Sequence, residues 1–553
     1  MPQGKKIVLT APVTESTEKG FSPWRQMMYA SIPAKYIKRR FYQDNLLTDD
    51  YADGTASAVP YGLRIVEELL LRHFPAEDIA VTHPHNLDKF VGPETRVVGV
   101  AAHNPIGQSF STGVYSSIMG STANPVNALE SRAMFLHPVM QKYRPRVIVG
   151  GAGAWQIEKM NAFEQLGVDT VVIGRGDAVI EDIFLKAVRG EPLPRVIRPP
   201  DPPLEQIVVP KRRSTYGIVE MTRGCGRACA FCAPTLEPRV SIPKEKILES
   251  VRGNVREGGK MVFPVSEDIF IYQAKMPFYI PNREAILDLY DSIARVPGVE
   301  YLALSHATIA PALVDPELIR ELSQIILPKT PYALHHKSNP NERFICPLIG
   351  IETGSPRLAD RIMRGKALPF KVEHWQDIVV NGLTILNENK WYPVCTFLVG
   401  SPDETDDDVK QSLELIYKLR NHKLFFVPSI FTPLEETRLG TAKGLHLREL
   451  SELQWEFILT CWKYSLNIAI SRPRTRFGFR AGMTVFWALK GRRIHGPQFT
   501  WPAMNFANLP GWLINRKLHL GRTPISDSVL PLEDIPAPYW HRGEEAHVYS
   551  GAF

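Results

Sequence analysis

Thr222-Arg-Gly-Cys225-Gly-Arg-Ala-Cys229-Ala-Phe-Cys232 gathers three of the chain's six cysteines into a CxxxCxxC run. Thiolates this closely spaced are soft ligands, suited to zinc or to an iron–sulfur cluster. A tetrahedral structural zinc wants four protein ligands, and no nearby Cys or His supplies the fourth. A 4Fe–4S cluster also takes four. With three protein thiolates, one iron stays open to another ligand. A zinc knuckle and three unpaired thiols are the bland alternatives. The run directly follows the strand-like Gly217-Ile-Val-Glu220, so the cysteines fall on a loop at a strand's carboxyl end, where α/β barrels build their sites.

Working outward, strand-like runs at Tyr216–Met221, Lys260–Val265, Tyr301–Ser305, Pro347–Ile351, Val394–Val399 and Phe425–Ile430 alternate with helical stretches. This predicts a central partial (β/α)6 barrel over 204–440. Upstream, Arg198-Pro-Pro-Asp-Pro-Pro203 cannot continue a helix or a central strand and marks a linker. Residues 1–200 carry apolar runs at Ile7–Thr10, Ile79–Thr82, Arg96–Ala102, Arg146–Val149 and Thr170–Ile173, with helical periodicity between them, as in Tyr61–Phe74. They predict a doubly wound, Rossmann-like five-stranded parallel sheet whose ligands sit beyond the strands' carboxyl ends. After Gly440, Leu450, Leu453, Phe457 and Cys461 fall at helical spacing, so 441–553 is expected to be mainly helical.

Composition sets the outer limits. With 553 residues, 44% hydrophobic and 22% charged, the chain reads as globular protein with ample core, not as disordered or fibrous. No apolar run approaches the roughly 18–20 residues that span a bilayer, and the first apolar run, Ile7–Thr10, is too short for a secretory signal. Six cysteines in such a length suggest a reducing, cytoplasmic setting. The net charge of +7 is mild, yet no Asp or Glu occurs from Phe457 to Ser526, where eleven Lys or Arg do. Arg472, Arg474, Arg476, Arg480, Lys490, Arg492, Arg493, Arg516, Lys517 and Arg522 lie among Phe477, Phe479, Phe486, Trp487, Trp501 and Trp512. Cations without acids favour an anionic partner, and interleaved aromatics suit an apolar substrate channel or an interface; a solvated face over an aromatic core is the plain alternative.

The cysteine run, with Phe231 before its last member, resembles the signature of the radical S-adenosylmethionine (SAM) superfamily. The resemblance implies a 4Fe–4S cluster on Cys225, Cys229 and Cys232, whose open iron is chelated by the amino and carboxylate groups of SAM. Electron transfer then cleaves a C–S bond to give a 5′-deoxyadenosyl radical. Further stretches of the barrel are similar in order. Pro264-Val-Ser-Glu-Asp-Ile-Phe270 departs from the usual Gly-Gly-Glu and would set Ser266 and Glu267 against the SAM amino group. Gly350-Ile-Glu-Thr-Gly-Ser355 would turn Glu352 and Ser355 to the ribose or methionyl part. Phe397-Leu-Val-Gly-Ser-Pro-Asp-Glu-Thr405 would bring Val399 beside the adenine.

The domain ahead of the barrel is similar to the cobalamin-binding domain of the cobalamin-dependent branch. The matching residues are Gly150, Gly151 and Gly153 after the fourth strand, Gly174 and Gly176 after the fifth, and Asn104 in the loop after the third. The Asp-x-His-x-x-Gly loop that ligates cobalt elsewhere is absent, and His103 reads as a loop histidine bonded to backbone. The long Phe110–Pro138 connection reads as a lid or part of a cofactor pocket. Cys346, Cys395 and Cys461 read as buried thiols. The expectation is a cobalamin-dependent radical SAM enzyme, a C-methyltransferase acting on an unactivated carbon of a large, partly apolar substrate such as a lipid or isoprenoid precursor. It would take electrons from a ferredoxin or flavodoxin and touch an anionic membrane face. Nucleic acid is disfavoured, because no RNA-binding module follows the barrel. The rivals are a radical SAM enzyme with a vestigial cobalamin domain, performing C–C coupling, cyclisation or rearrangement, and a non-catalytic metal-binding protein.

Overall fold

Short runs of Val and Ile build the first sheet. In the computed structural model, β1 (Ile7–Thr10), β2 (Ile79–Val81), β3 (Val97–Ala101), β4 (Arg146–Gly150), β5 (Thr170–Val172) and β6 (Val196–Ile197) pair in the order β2-β1-β3-β4-β5-β6. All pairings are parallel, with Ile7 opposite both Ile79 and Val97. Side chains alternate between two cores, as period-two strands require. Val8, Val98, Val100, Val147, Val149 and Val171 face one. Ile7, Leu9, Val97, Ile148 and Val172 face the other, against α1 (Tyr61–Leu70) and α2 (Ile180–Val188). Covered on both faces, the strands read as near-continuous apolar runs. The five expected strands are present; β6 is a sixth, a half-buried two-residue edge too short to show a period in sequence.

The structure describes residues 3–18, 29, 33–36, 49–109, 112, 124–334, 341–434, 437–470, 473–507 and 528–535. These fall into two units: Met1–Glu220 with Ile242–Phe263 and Val296–Glu300, and the remainder. The stretch after the proline-rich linker is tied to the first unit, where Arg64 Nε donates to the Arg213 carbonyl (2.8 Å) and Arg213 pairs with Glu18. The six strand-like runs of the barrel span all form strands: β7 (Ile218–Glu220), β8 (Met261–Val265), β9 (Tyr301–Leu302), β11 (Leu348–Glu352), β12 (Val394–Val399) and β13 (Phe425–Ile430), with the short β10 (His306–Ala307) added. The division between the units cuts β8 after Phe263. In the second unit β10-β11-β12-β13 make one parallel sheet.

In the second unit α3 (Pro356–Met363) follows β11 and α4 (Asp406–Lys418) follows β12. Beyond them α5 (Glu452–Ala469) packs on β13, where the Ser465 hydroxyl accepts from Phe426 N (2.8 Å) and donates to its carbonyl (3.0 Å). Then comes α6 (Pro473–His495). Trp487 of the basic, aromatic set is core, buried with Trp455, Phe499 and Phe506. Phe477, Phe479, Val485 and Leu489 of α6 are exposed. No helix among the described residues is long and apolar enough to cross a membrane. Arg472, Arg516, Lys517, Arg522 and Trp512, and most of the 110–123 connection, lie outside the described residues, as do the side chains of Lys490, Arg492 and Arg493.

Candidate functional site

The cysteine loop is shaped by backbone handedness. Thr222–Arg223 pairs antiparallel with Val240–Ser241 and closes the loop at its base. Within it, Gly224, Gly226 and Ala228 have φ of +64°, +74° and +58°, alternating with ordinary residues. Alternating handedness curls a chain into a concave nest, a form that seats anions and iron–sulfur clusters. Gly224 is needed twice over, since a Cβ there would lie 2.5 Å from the Glu237 carbonyl oxygen. Cys229 is buried; Cys225 and Cys232 are half-buried. Burial pushes the Cys229 thiol up to about 11 and Cys232 to about 12, with Lys366 pulling both back. Cys225 is raised by burial and held back by Arg227, through its charge and a backbone hydrogen bond to the sulfur.

The three sulfurs act on one another by charge: Cys225 on Cys229, and both on Cys232.

Arg227, between the first two cysteines, locks the loop from inside. Its Nη2 donates to Asp268 Oδ2 (2.8 Å) and Thr308 Oγ1 (3.1 Å), its Nη1 to the Gly365 carbonyl (2.9 Å), and its guanidinium lies 4.3 Å from the Tyr279 ring centre. Both charges of the pair are buried. Sequence reading missed this residue; its signal was a lone cation inside the cysteine run.

On β11 the register shifts between Gly350 and Glu352, and Glu352 takes a left-handed φ of +64°. Such bulges re-aim side chains beside functional sites. Glu352 Oε1 accepts from Lys366 Nζ (2.8 Å) and Thr396 Oγ1 (3.2 Å). Lys366 also donates to the Gly350 carbonyl (3.0 Å) and stands 5.7 Å from the Phe231 ring centre. Burial pulls its ammonium down, but Glu352 and the Cys229 sulfur hold it above the ordinary lysine value. Phe231, Lys366, Glu352 and the cysteines therefore converge, and Glu267 acts on Cys225 and Cys232 by its charge.

Other expected residues are engaged elsewhere. The Ser266 hydroxyl is bonded to Thr222 Oγ1 (2.6 Å) and donates to the Asp268 carbonyl (2.8 Å). Ser355 caps α3, accepting from Leu358 N (3.2 Å) and donating to Asp408 Oδ1 (2.5 Å). Val399 is buried at the end of β12. Cys395 and Cys461 are buried as expected, whereas Cys346 is half-buried.

In the first unit, Gly150 ends β4 rather than following it, Gly151 and Gly153 come after it, and Gly174 and Gly176 lie between β5 and α2. Gly153 answers to its own chain: a Cβ there would sit 2.2 Å from the His103 carbonyl oxygen. Asn104 is buried and organises its loop, donating to Thr112 Oγ1 (2.8 Å) and accepting from Ser109 N (3.1 Å). The His103 backbone N donates to Glu15 Oε1 (2.8 Å), and burial raises that carboxyl to about 7. At the carboxyl end of β1, the buried hydroxyls of Thr10, Thr14 and Ser16 have no partner among the described residues. Orphaned polar atoms at this edge are a feature the glycine pattern did not disclose.

No family model matches the chain. It is 26% identical over 242 residues to a tRNA-2-methylthio-N(6)-dimethylallyladenosine synthase of Delftia acidovorans, covering 43% of this chain and 49% of the relative. It is 28% identical over 211 residues to the ribosomal protein uS12 methylthiotransferase RimO of Bacteroides fragilis, covering 37% and 42%. The chain spans about half the length of these curated relatives. Among solved structures, the radical S-adenosylmethionine methyltransferase TsrM of Kitasatospora setae, with cobalamin and a [4Fe-4S] cluster bound, matches with a TM-score of 0.51 at 14% identity, over 79% of this chain and 77% of that one. At that identity the likeness is one of fold.

Proposed function

We propose, from the radical SAM superfamily to which motif and fold both point, that this protein is a cobalamin-dependent methyltransferase. Its target would be an unactivated carbon of a large, partly apolar substrate. The observation that carries the reading is the cysteine loop, with three free thiols on a backbone nest. Cys225, Cys229 and Cys232 would hold three irons of a 4Fe–4S cluster and leave the fourth for SAM. When bound, the cluster and SAM supply a carbon radical that abstracts hydrogen, and cobalamin supplies the methyl group.

The chain's own residues have separate tasks. Arg227 fixes the loop and offers positive charge to the Cys225 sulfur. Phe231 sets its ring face against the Lys366 ammonium. Lys366 orients the Glu352 carboxylate, and Glu352 and Glu267 would receive the cationic amino group or a ribose hydroxyl of SAM. Ser266 and Ser355 act through backbone and caps, as positioning residues. For cobalamin, the unpartnered hydroxyls of Thr10, Thr14 and Ser16 and the turns at Gly150–Gly151 and Gly174–Gly176 fit a polar tail threaded past the strand ends.

The methylthiotransferase relatives favour a second reading, in which sulfur is transferred with the methyl group. Product mass separates the two, since the methylthio product carries one more sulfur. Reconstituted protein, purified anaerobically, should contain iron, sulfide and a corrinoid visible in its absorption spectrum, and should cleave SAM on reduction by a ferredoxin or flavodoxin. Cys229→Ala should lose iron and all SAM cleavage. Zinc in place of iron would overturn the assignment; iron without corrinoid would leave the vestigial-domain reading.

A further inference from the structure

A second ligand set lies in the first unit, built from residues outside the cysteine loop and the barrel motifs. His83 and His85 follow the end of β2, and Asp50 arrives from a loop that Asp50 and Ala56 close by an antiparallel bridge. Asp50 Oδ1 lies 2.5 Å from His83 Nδ1, and Oδ2 lies 2.6 Å from His85 Nε2. The rings stack at 5.7 Å with 17° between their planes. His83 is wholly buried, Asp50 is partly so, and His85 is open to solvent.

From this geometry we infer that Asp50, His83 and His85 bind one divalent transition-metal ion, zinc or a neighbour in the first row. Two imidazole nitrogens and a carboxylate are a donor set such ions favour. The second layer is also present. His83 Nε2 is 3.1 Å from the Ala58 carbonyl, a backbone acceptor that would hold the ring with Nδ1 toward the metal. Asn86 Nδ2 donates to Asp50 Oδ2 (2.8 Å) and orients it. Protons bridge these atoms in the absence of a metal, and a bound ion would displace them and part the ligand atoms to about 3 Å. One metal ion serves all three side chains, and the exposed His85 leaves it a route in and room for water.

The test uses the full chain with its cluster reconstituted, treated with chelator, freed of it and titrated with Co2+ alone. Metal analysis and the visible ligand-field bands are the readouts. Wild type should bind one equivalent with nitrogen and oxygen ligation and no thiolate charge-transfer band, displaced by Zn2+. His85→Ala, at an exposed position that folding does not depend on, should weaken binding by about 10-fold or more, as should Asp50→Asn, which keeps the shape but not the charge. Absence of a Co2+ equivalent with this spectrum, or affinity unchanged in His85→Ala, overturns the inference and leaves the trio a hydrogen-bonded clamp.

Discussion

Arg227 carries more of the candidate site than its place between two cysteines suggests. Its guanidinium and the Asp268 carboxylate are both buried, and removing one partner strands the other's charge out of water. That loss typically costs about 3–5 kcal/mol. Arg227→Lys keeps the charge but not the fork that reaches Asp268, Thr308 and the Gly365 carbonyl together. It should lower the urea midpoint and the iron retained after reconstitution, and Arg227→Met with Asp268→Asn should recover part of the midpoint but not the iron. An Arg227→Lys protein with wild-type iron and midpoint would remove the residue from this role. Glu404 gives a pH prediction. Burial raises its carboxyl from 4.5 to about 7, against hydrogen bonds from Gln454 and Gly400. A raised acid contributes stability that is full below pH 4.5 and lost as pH climbs through 7, at most about 3 kcal/mol. Relative to wild type, Glu404→Gln should therefore gain stability between pH 5 and pH 8, read from urea midpoints; a constant difference across that range would contradict the raised carboxyl.

At the scale of elements, Asp408 joins two helix starts. It closes a capping box with Thr405 at α4, accepts from the Ser355 hydroxyl that caps α3, and pairs with Arg357. These bonds outweigh burial and hold its carboxyl down to about 2. A depressed acid contributes stability present above its unfolded value of 3.8 and lost as pH falls through 2. Asp408→Asn should cost roughly 2–3 kcal/mol at neutral pH and flatten the acid limb of the stability curve; an unchanged acid limb would contradict it. The same helix starts show how far sequence reading reaches. The strands were legible because β-branched runs are local, and the cysteine loop because its spacing is local. β6 and β10 are two residues each and carry no period. Ser355 and Ser266 sit in legible motifs, yet a cap and a turn take up their hydroxyls. Arg227 with Asp268, Lys366 with Glu352, and Asp50 with His83 are pairs that only the fold brings together.

For the molecule as a whole, the acid-free stretch bears on partners. Its apolar residues divide: Trp487 and Phe499 are core, while Phe477 (67% exposed), next to Arg476, and Leu489 (80% exposed) project from α6. An apolar and basic helix surface suits an anionic lipid face, with burial of the rings and attraction to headgroups acting together. The protein should therefore co-sediment with vesicles rich in phosphatidylglycerol and much less with phosphatidylcholine vesicles. Raised salt should weaken only the electrostatic share, because apolar insertion is not screened. Leu489→Glu, on a side chain that supports no core, should reduce binding at every salt concentration without moving the urea midpoint. Equal binding to both vesicle types, or a Leu489→Glu protein that binds like wild type, would return α6 to an ordinary solvated face.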